Sequence, residues 1–546
     1  MRKRVKKGPL SVHAVAGSYV VLLGIDMTES ASEGVLGFAI ERTDHSNKNK
    51  RDWLAGFKVF PDTKIEAGAI VSTRQHPLQS FMWADMTTRL AHTYTYRVIA
   101  MRGKPGALKE AEEVSVRISM EDEDVSKHAV YFNRGVAGSQ AYARKFGNKR
   151  PTEVPDNKAW EWLSRGLAEA IIKFVGQAKG NGFGLRASIY EFQQPDVLDA
   201  FKEASRNGAD VKIVFDARPN SSNSPNKHNR ESIKEAGLEA ITIPRTQSPS
   251  YISHNKFIVL LKDNKPVQVW TGSTNLTQGG IYGHSNLGHC VRDAGVAEKY
   301  LDYWEQLSQD PTAKDLREWA EEHTPVPKTL PRRNTTTCVF SPRPTLGALE
   351  WYTERMDKAP GAVFFTAAFG VNDLFTEVLA KQKDYLRYVL LESEAKTEMD
   401  RITKDKLNKV AVASTLGSGK FERWMREQTV PNLNVHVKYI HTKYMLIDPL
   451  GADPLVISGS ANFSNASTKN NDENMLLVRG DKRVADIYLG EFMRLFNHHY
   501  FRTLVKKFNQ ADPATGKRGF LAPDDSWRLP YYAEGTSKKL EREYFA

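Results

Sequence analysis

Short stretches in which apolar and polar residues alternate fill the first 120 positions of the chain. In Thr93–Ala100 small polar and larger residues alternate with a period of two, which is typical of a half-buried strand. Further stretches rich in Val, Ile and aromatic residues, separated by polar turns, are Ser11–Met27, Gly34–Arg42, Trp53–Phe60, Phe81–Asp85 and Val114–Ser119. This spacing predicts an all-β sandwich over residues 1–125. Within these bounds the basic start of the chain, residues 1–8, is predicted to be a solvated tail and not part of a signal peptide, because the apolar stretch that follows is too short.

From about residue 160 the pattern changes to alternating helices and strands. Trp160–Gly180 has helical periodicity. A strand, a helix and a strand follow it, and the same order returns later in the chain: Leu185–Phe192, Asp196–Asn207 and Val211–Asp216, then Ala362–Phe369, Asp373–Lys383 and Leu386–Leu391. Strands that alternate with helices predict parallel pairing in an α/β layer fold. Two copies predict two pseudo-symmetric lobes, residues 126–325 and 326–546, the second including a C-terminal tail.

A long polar excursion follows each strand–helix–strand unit. Pro219–Arg230 is rich in Asn, Ser and Pro and is predicted to be a loop, whereas Glu394–Glu427 is longer and predicted to be partly helical. Ligands of α/β sheets bind beyond the carboxyl ends of strands. Both excursions leave such ends, so they are candidates for facing a substrate, and plain surface loops are an equally good interpretation.

Two polar clusters share one internal spacing. Each begins with His-x-Lys, and the distance from the histidine to a serine is 19 positions in both copies, 254 to 273 and 441 to 460. The distance to an asparagine, 254 to 275 and 441 to 462, is 21 in both. On a strand, residues two apart share a face, and four polar residues per copy are costly to bury without a purpose. Two lysines, two serines and two asparagines could surround an anion, while two histidines could divide attack and protonation between them.

This constellation resembles the phospholipase D superfamily, whose mark is His-x-Lys-(four residues)-Asp followed by a Gly-Ser-x-Asn strand. His441, Lys443 and Asp448 match that mark fully. The resemblance covers about 126–546 and implies a site on the pseudo-two-fold axis that needs no metal, no cofactor and no second chain, together with a covalent phosphohistidine. It assigns catalytic roles to His254, His441, Lys256 and Lys443, phosphate binding to Ser273, Asn275, Ser460 and Asn462, and supporting roles to Asp448, Glu473 and Asn286. Separately, Trp83–Tyr96 resembles the later strands of fibronectin type III domains.

The first copy departs from the pattern in its acids. Leu261 stands where the second copy has Asp448, and Asn286 stands where it has Glu473. One interpretation is that the first half is degenerate. Another is that Glu473 lies beside His441 and favours its imidazolium form as a general acid. An amide beside His254 would then fix the tautomer of a neutral nucleophile. The N-terminal histidine is commonly the nucleophile in superfamily members with two motifs, which agrees with the second interpretation.

Charge and cysteine content indicate which partners and which cellular compartment to expect. The net charge of +12 and pI of about 9.3 favour polyanionic partners, either nucleic acid or an anionic membrane surface. No run of about 18 apolar residues could span a membrane. Cys290 and Cys338 form no disulfide framework or metal site, which indicates a cytoplasmic protein, with peripheral membrane contact as a further option. The aromatic C-terminal segment is predicted to pack back on the lobes rather than to contact a membrane or nucleic acid.

Three functions are therefore compatible with the sequence. The first is hydrolysis or transfer at phospholipid phosphodiester bonds, which the presence of both motifs in one chain favours by resemblance. The second is a metal-independent nuclease for DNA or RNA, which the positive charge favours. The third is a non-catalytic binding protein with a degenerate site, against which the intact His254 and His441 argue.

Overall fold

The computed structural model describes the chain outside residues 62, 64–69, 136–138, 148, 220–223, 248–250, 369, 371, 393–395, 414–439 and 512–519. Side chains are described for the same residues except 139–140, 143, 396 and 501–511. The strands of the N-terminal region are β1 Arg2–Lys7, β2 Leu10–Ala16, β3 Val21–Met27, β4 Gly37–Asp44, β5 Lys50–Trp53, β6 Ala55–Gly56, β7 Val71–Ser72, β8 Met82–Asp85, β9 Thr93–Lys104 and β10 Ala107–Ser119.

Two further groups of strands follow. The first group is β11 His128–Phe132, β12 Phe183–Ile189, β13 Asp210–Asp216, β14 Thr242–Arg245, β15 Lys256–Lys262, β16 Lys265–Gly272 and β17 Leu287–Val291. The second is β18 Thr335–Ser341, β19 Ala362–Ala367, β20 Leu386–Leu391, β21 Asn408–Val412, β22 Tyr444–Ile447, β23 Leu455–Gly459 and β24 Glu473–Arg479.

The helices are named by their residue ranges. The α-helices are Glu29–Ser32, Ser139–Phe146, Lys158–Ser164, Leu167–Val175, Pro195–Arg206, Asn226–Ala236, Ala294–Ser308, Ala313–His323, Gly347–Asp357, Asp373–Ala380, Lys396–Ile402, Asn465–Lys469, Lys482–Ala511 and Ser537–Phe545. Shorter 3-10 turns are Pro151–Glu153, Pro155–Asn157, Glu239–Ile241 and Asp525–Tyr531, and Gly279–Gly283 is a single π-helical turn.

The N-terminal region is all-β, in agreement with the prediction. Its two four-stranded sheets, β1-β2-β3-β8 and β10-β9-β4-β5, enclose one apolar core. Alternate residues of both sheets supply that core, for example Leu23 from the first and Val98 from the second. The hydroxyl of Tyr94, near the start of β9, accepts the N–H of Arg89 at 2.9 Å, the contact of a tyrosine corner. The fibronectin type III type itself stays a prediction.

The basic start of the chain is a strand and not a solvated tail, so that prediction is wrong. Arg2–Lys7 pairs with β2 in antiparallel register. Val5 of this strand packs on the sandwich core, whereas Lys3, Arg4, Lys6 and Lys7 are exposed. Arg2 bonds Asp486 and the carbonyls of Pro449 and Leu450, so the strand also ties the sandwich to the last part of the chain.

Two seven-stranded sheets with the same strand order form the rest of the molecule. The orders are β11-β17-β16-β15-β12-β13-β14 and β18-β24-β23-β22-β19-β20-β21. Each strand–helix–strand unit pairs in parallel as predicted, through β12 with β13 and β19 with β20, but most other pairs are antiparallel. The sheets are therefore mixed, and their parallel parts are β12-β13-β14 and β19-β20-β21.

One large apolar core joins the two sheets. It includes Phe257 and Val269 from the first sheet and Phe364 and Val456 from the second. Helix Ala294–Ser308 contributes to the same core, as does the first part of helix Lys482–Ala511. Smaller cores lie on the outer face of each sheet. This shared core brings the ends of β15 and β22, which carry the two motifs, to one place.

Two other predicted elements differ from the structure. The single helix expected over Trp160–Gly180 is two helices, because Arg165 and Gly166 both have positive φ and end the first one. The loop predicted over Pro219–Arg230 gives way to a helix at Asn226, while 220–223 lie outside the described residues. The second excursion contains helix Lys396–Ile402 as expected, and its part from 414 onward lies outside the described residues.

The C-terminal segment packs back on the molecule, and its main partner is the sandwich. Tyr531 is part of the sandwich core, with Trp527 and Tyr532 against it. Phe545 is part of the core shared by the two large sheets. The backbone of Phe545 passes so close to Gly24 of β3 that a Cβ there would lie 1.9 Å from its carbonyl oxygen. The segment therefore bridges the sandwich and the second sheet. None of the described helices is both long and apolar enough to cross a membrane.

Candidate active site

The two His-x-Lys motifs meet at the boundary between the large sheets. Lys256 is the first residue of β15, and Lys443 directly precedes β22, which occupies the matching place in the second sheet. The rings of His254 and His441 face each other edge to face, with centroids 6.3 Å apart. Both histidines are buried, with exposed fractions of 4% and 3%. The equal spacing in the sequence thus corresponds to one shared cluster.

His254 is oriented by a carboxylate from the other sheet. Its Nδ1 lies 2.9 Å from Oε2 of Glu473, the fully buried first residue of β24. The hydroxyl of Ser460 donates to the same oxygen at 2.7 Å. Because a carboxylate oxygen only accepts, Nδ1 of His254 carries the proton, and a neutral ring presents its lone pair at Nε2.

His441 is oriented by neutral oxygens from the first sheet. Its Nδ1 lies 3.0 Å from the carbonyl of Ser273 and 3.0 Å from Oδ1 of Asn286. The amide of Asn286 is fixed, since its Nδ2 donates to the carbonyl of Gly280 and its Oδ1 accepts the hydroxyl of Ser273. Nδ1 of His441 therefore also carries a proton, with no carboxylate at hydrogen-bond distance from it in these contacts.

These contacts reverse the pairing expected from the sequence. Glu473 was expected beside His441 and Asn286 beside His254, and each lies beside the other histidine. The reason is backbone pairing between the sheets: Asp472 N–H donates to the carbonyl of Ile252 at 3.0 Å, which carries the next residue, Glu473, across to His254. In the other direction, His441 N–H donates to the carbonyl of Ser285 at 3.1 Å, beside Asn286.

Both lysines are buried and bonded to their own motif. Nζ of Lys256 donates to the carbonyl of His254 at 2.5 Å, and Nζ of Lys443 donates to the carbonyl of His441 at 2.7 Å. Burial lowers the pKa of Lys256 to about 7 and lowers the pKa of Lys443 well below its usual value. The ring of Tyr190 lies 5.1 Å from Nζ of Lys256.

Burial also makes both histidines weak bases. It lowers the pKa of His254 to about 4, with Glu473 acting in the opposite direction. It lowers the pKa of His441 well below the usual value, and the cation of Lys443 adds to that effect. Both rings are therefore neutral at pH 7 when no anion is bound.

The serines and asparagines of the repeat fall into two groups. Ser273 and Ser460 use their hydroxyls to hold Asn286 and Glu473, so they act on the groups that orient the histidines. Nδ2 of Asn275 donates to Glu191 at 2.6 Å. The buried Oδ1 atoms of Asn275 and Asn462 have no hydrogen-bond partner within the described part of the chain. Direct contact of these four side chains with a phosphate stays a prediction.

Asp448 is not brought to this cluster. It follows the far end of β22, five residues after Lys443, which is about 17 Å along the chain at the usual rise per residue of a strand. There it lies against Gly451 and Gly361, and Arg2 and Tyr544 act on its pKa, which burial raises. Leu261 takes the matching place in the first sheet and belongs to the apolar core, so its lack of a carboxylate does not affect the histidines.

Two aromatic side chains that the sequence did not predict lie beside the motif histidines. The ring of Tyr190 lies 5.0 Å from that of His254, and the ring of His284 lies 5.7 Å from that of His441. His284 lies two positions before Asn286, and the matching residue in the second copy is Asn471, two positions before Glu473. The internal spacing therefore pairs His284 with Asn471 and is the signal that could have pointed to it. Among the residues described, no three His, Cys, Asp or Glu side chains are grouped so that they could hold a metal ion.

Two segments of the chain match a known protein family. Residues 171–308 and 374–496 match the family model described as cardiolipin synthase, PLD-like domain, one segment in each large sheet region. The chain belongs to the phospholipase D superfamily, whose members are generally phosphodiester-hydrolysing enzymes.

Individual relatives differ in what they are named for. A protein of Rickettsia typhi named phospholipase D is 28% identical over 172 residues, which are 31% of this chain and 70% of that protein. The crystal structure of phosphatidylserine synthase from Haemophilus influenzae is 12% identical, covers 66% of this chain and 94% of that one, and gives a TM-score of 0.43. The crystal structure of Nuc, a phospholipase D family member from Salmonella typhimurium, is 28% identical. It covers 26% of this chain and 87% of that one, with a TM-score of 0.22.

Proposed function

We propose that this protein cleaves phosphodiester bonds in two displacement steps, with His254 as the nucleophile and His441 as the acid and base. The observation that carries the proposal is the unequal support of the two rings: a carboxylate at Nδ1 of His254 and neutral oxygens at Nδ1 of His441. Residues 126–325 and 326–546 act as two pseudo-symmetric lobes around this site, and residues 1–125 form a separate domain.

In the first step, the Nε2 lone pair of His254 attacks phosphorus and forms an N–P bond. The P–O bond to the leaving alcohol breaks, and that oxygen takes the proton from Nε2 of His441. The ring of His254 becomes positively charged as the bond forms. Glu473 accepts its Nδ1–H and stabilises that charge, which is the same help a carboxylate gives to histidine in hydrolytic triads.

In the second step, Nε2 of His441 takes a proton from water, whose oxygen attacks phosphorus. The N–P bond breaks and returns the electron pair to His254, and His441 is protonated again for the next cycle. An alcohol in place of water would give transfer instead of hydrolysis. The carbonyl of Ser273 and Oδ1 of Asn286, which accept Nδ1–H of His441, are neutral and add no negative charge that would hold the proton at Nε2 in the first step.

The charge of the bound anion helps His441 to take up from solvent the proton that it needs as an acid. Without ligand, burial and the neighbouring cation of Lys443 hold the pKa of His441 low. A phosphodiester between the two lysines brings a negative charge next to both rings, which raises the pKa of His441 in the complex. Protonation of the acid is thereby coupled to substrate binding.

A phospholipid is the first candidate substrate. The supporting observations are the two motifs in one chain and the 28% identity to a Rickettsia typhi protein named phospholipase D. Nucleic acid is the second candidate, favoured by the net charge of +12.

One experiment separates these candidates. The protein is incubated, with and without a chelator, with labelled phospholipid vesicles and with single- and double-stranded DNA and RNA. Release of a free head group supports the phospholipid, whereas shortened strands support the nuclease. His254→Ala and His441→Ala are expected to cut neither, and Glu110→Gln, a surface change in the sandwich, serves as the control.

A trapping experiment tests the intermediate. Rapid acid-free quenching and peptide mapping should find the phosphorus on His254, and His441→Ala should form this adduct only with a substrate whose leaving group needs no proton. A substrate chiral at phosphorus should react with overall retention, since two inversions cancel. An adduct on His441 alone, or inversion at phosphorus, contradicts the proposed roles, and failure to cut any substrate contradicts the function.

A further inference from the structure

Two more buried carboxylates occupy matching places in the two large sheets. Asp216 is the last residue of β13, and Glu392 directly follows β20. β13 and β20 hold the same position in the strand order of their sheets, each beside the strand that pairs with the motif strand. The exposed fractions are 0% for Asp216 and 9% for Glu392.

Both carboxylates bind the backbone directly before a motif histidine. Oδ2 of Asp216 accepts the N–H of Ser253 at 3.0 Å, and Oε2 of Glu392 accepts the N–H of Ile440 at 2.7 Å. The next residue in each case is the histidine. Neither N–H takes part in a strand ladder, because β15 and β22 begin after it. The carboxylates therefore fix the approach of the chain to each motif.

The same carboxylates also act on the charge of the motif lysines. Asp216, together with Glu473 and Glu191, opposes the effect of burial on the pKa of Lys256. Glu392 and Glu473 do so for Lys443, against the repulsion from the cation of Lys256. Arg218 binds Asp216 through Nε at 2.9 Å and favours its ionised form despite burial.

The internal spacing of the sequence could not show this pair. Asp216 precedes its histidine by 38 positions, 216 to 254, whereas Glu392 precedes its histidine by 49, 392 to 441. The difference comes from the unequal polar excursions between these strands and the motifs. The acids that differ between the copies, Asp448 and Glu473, are thus accompanied by two that share their place in the sheet and their contact with the N–H before the histidine.

We propose that Asp216 and Glu392 are positioning residues, one for each motif, that hold the backbone before the histidine and keep the motif lysine charged for an anionic substrate. This role rests on the proposed function only for its catalytic consequence, since anion binding can be measured without turnover. A merely structural carboxylate would hold the loop but would not couple anion binding to pH.

Asp216→Asn separates these roles, because the amide oxygen can still accept the N–H of Ser253 while the charge is lost. The probe is tungstate, which stays a dianion across the pH range used, and its Kd is measured by calorimetry from pH 5.5 to 9. With the lysine protonated, removal of a nearby negative charge leaves binding as tight or tighter. At higher pH the variant loses binding first, so the fall in affinity begins about one pH unit lower.

The expected result is therefore a crossing of the two curves, with the variant at least fivefold weaker on the alkaline side. Glu392→Gln should behave in the same way, and Asp453→Asn, which removes a carboxylate bound to Arg479 away from the site, should follow the wild type. Uniform weakening at every pH, an unchanged curve, or a wild type that does not bind tungstate overturns the inference, provided that thermal melting shows the variants folded.

Turnover distinguishes this inference from the proposed function. A wild type that binds tungstate with the expected variant curves but cuts neither phospholipid nor nucleic acid contradicts the function and supports the positioning pair. If the wild type cuts substrate but the tungstate curve of Asp216→Asn runs parallel to that of the wild type, the proposed function stands. The proposed positioning role of Asp216 and Glu392 is then wrong. In a wild type that does cut, Asp216→Asn should lower kcat/KM more at pH 8.5 than at pH 6.

Discussion

Nδ1 of His254 and Oε2 of Glu473 lie 2.9 Å apart, although the residues are separated by 219 positions and belong to different sheets. The reciprocal contact joins His441 to Asn286 across 155 positions. Each histidine therefore receives the group that orients it from the opposite half of the chain. Neither half by itself contains a complete site.

Replacing the carboxylate beside the nucleophile tests its part in the first step. Glu473→Gln keeps the size and an acceptor for Nδ1–H but removes the charge that balances the phosphorylated ring. Loss of kcat by about 10²- to 10⁴-fold is expected, which is the range for such catalytic support. The first-turnover burst of released alcohol should slow by the same factor. A variant in which only the second step slows would contradict this assignment.

Placing a carboxylate beside the other histidine tests the acid. Asn286→Asp puts a negative charge at Nδ1 of His441, which favours the imidazolium and raises the pKa of His441. A general acid then stays protonated to higher pH, so the alkaline limb of kcat should move upward, while the rate at low pH changes little. The pH profile of kcat with a soluble diester measures this, and an unmoved alkaline limb would count against His441 as the acid.

The sequence was sufficient to identify the side chains of the site but not to predict which of them contact each other. Equal spacing revealed both motifs, and the rings of their two histidines do meet in the structure. The prediction put Glu473 beside the wrong histidine, because the spacing within one copy does not show which histidine the start of β24 contacts. That depends on the backbone bonds Asp472 to Ile252 and His441 to Ser285, which form only when the two sheets pack.

Other differences have equally local causes. Strand β1 was missed because its basic residues hide the single inward Val5, and helix Trp160–Gly180 was over-extended because apolar periodicity continues through the break at Arg165. Asp448 was included because it belongs to the motif by spacing. In the structure the four-residue strand β22 separates Asp448 from the motif lysine. Asp448 is therefore part of the sequence motif but lies outside the site.

Buried histidines should make the protein sensitive to acid. Burial lowers the pKa of His13, His128 and His254 to about 4, while the unfolded chain takes up these protons near 6.5. The unfolded state therefore binds more protons between about pH 6.5 and 4, and the free energy of unfolding falls as the pH falls through that range. Each such histidine contributes a slope of up to about 1.4 kcal/mol per pH unit.

His13→Gln isolates one of these contributions. The amide can still donate to the carbonyl of Phe545, which Nδ1 of His13 contacts at 3.0 Å. Denaturant unfolding at several pH values should give the variant a shallower slope than the wild type between pH 6.5 and 4, and similar stability at pH 7.5. A slope equal to that of the wild type would show that His13 does not resist protonation in the folded state.

The contact between Gly24 and Phe545 predicts a steric lock on the C-terminal segment. A Cβ on Gly24 would meet the backbone of Phe545 at 1.9 Å, so Gly24→Ala must displace the end of helix Ser537–Phe545. A loss of about 1–3 kcal/mol is expected, the usual cost of overpacking a core. Thermal melting and protease cleavage near residue 540 report it. Gly56→Ala, where the nearest atom to a Cβ is 3.7 Å away, is the matched control, and equal effects of both variants would contradict the lock.

The crossed support of the two histidines also limits how the halves can change over generations. A substitution at position 286 alters the ring at 441, and one at 473 alters the ring at 254, so a mutation in either half is selected for its effect on the other. The two copies can diverge in their excursions and outer helices independently. At these four positions the halves are coupled, because each orienting group has to match a ring that belongs to the other half.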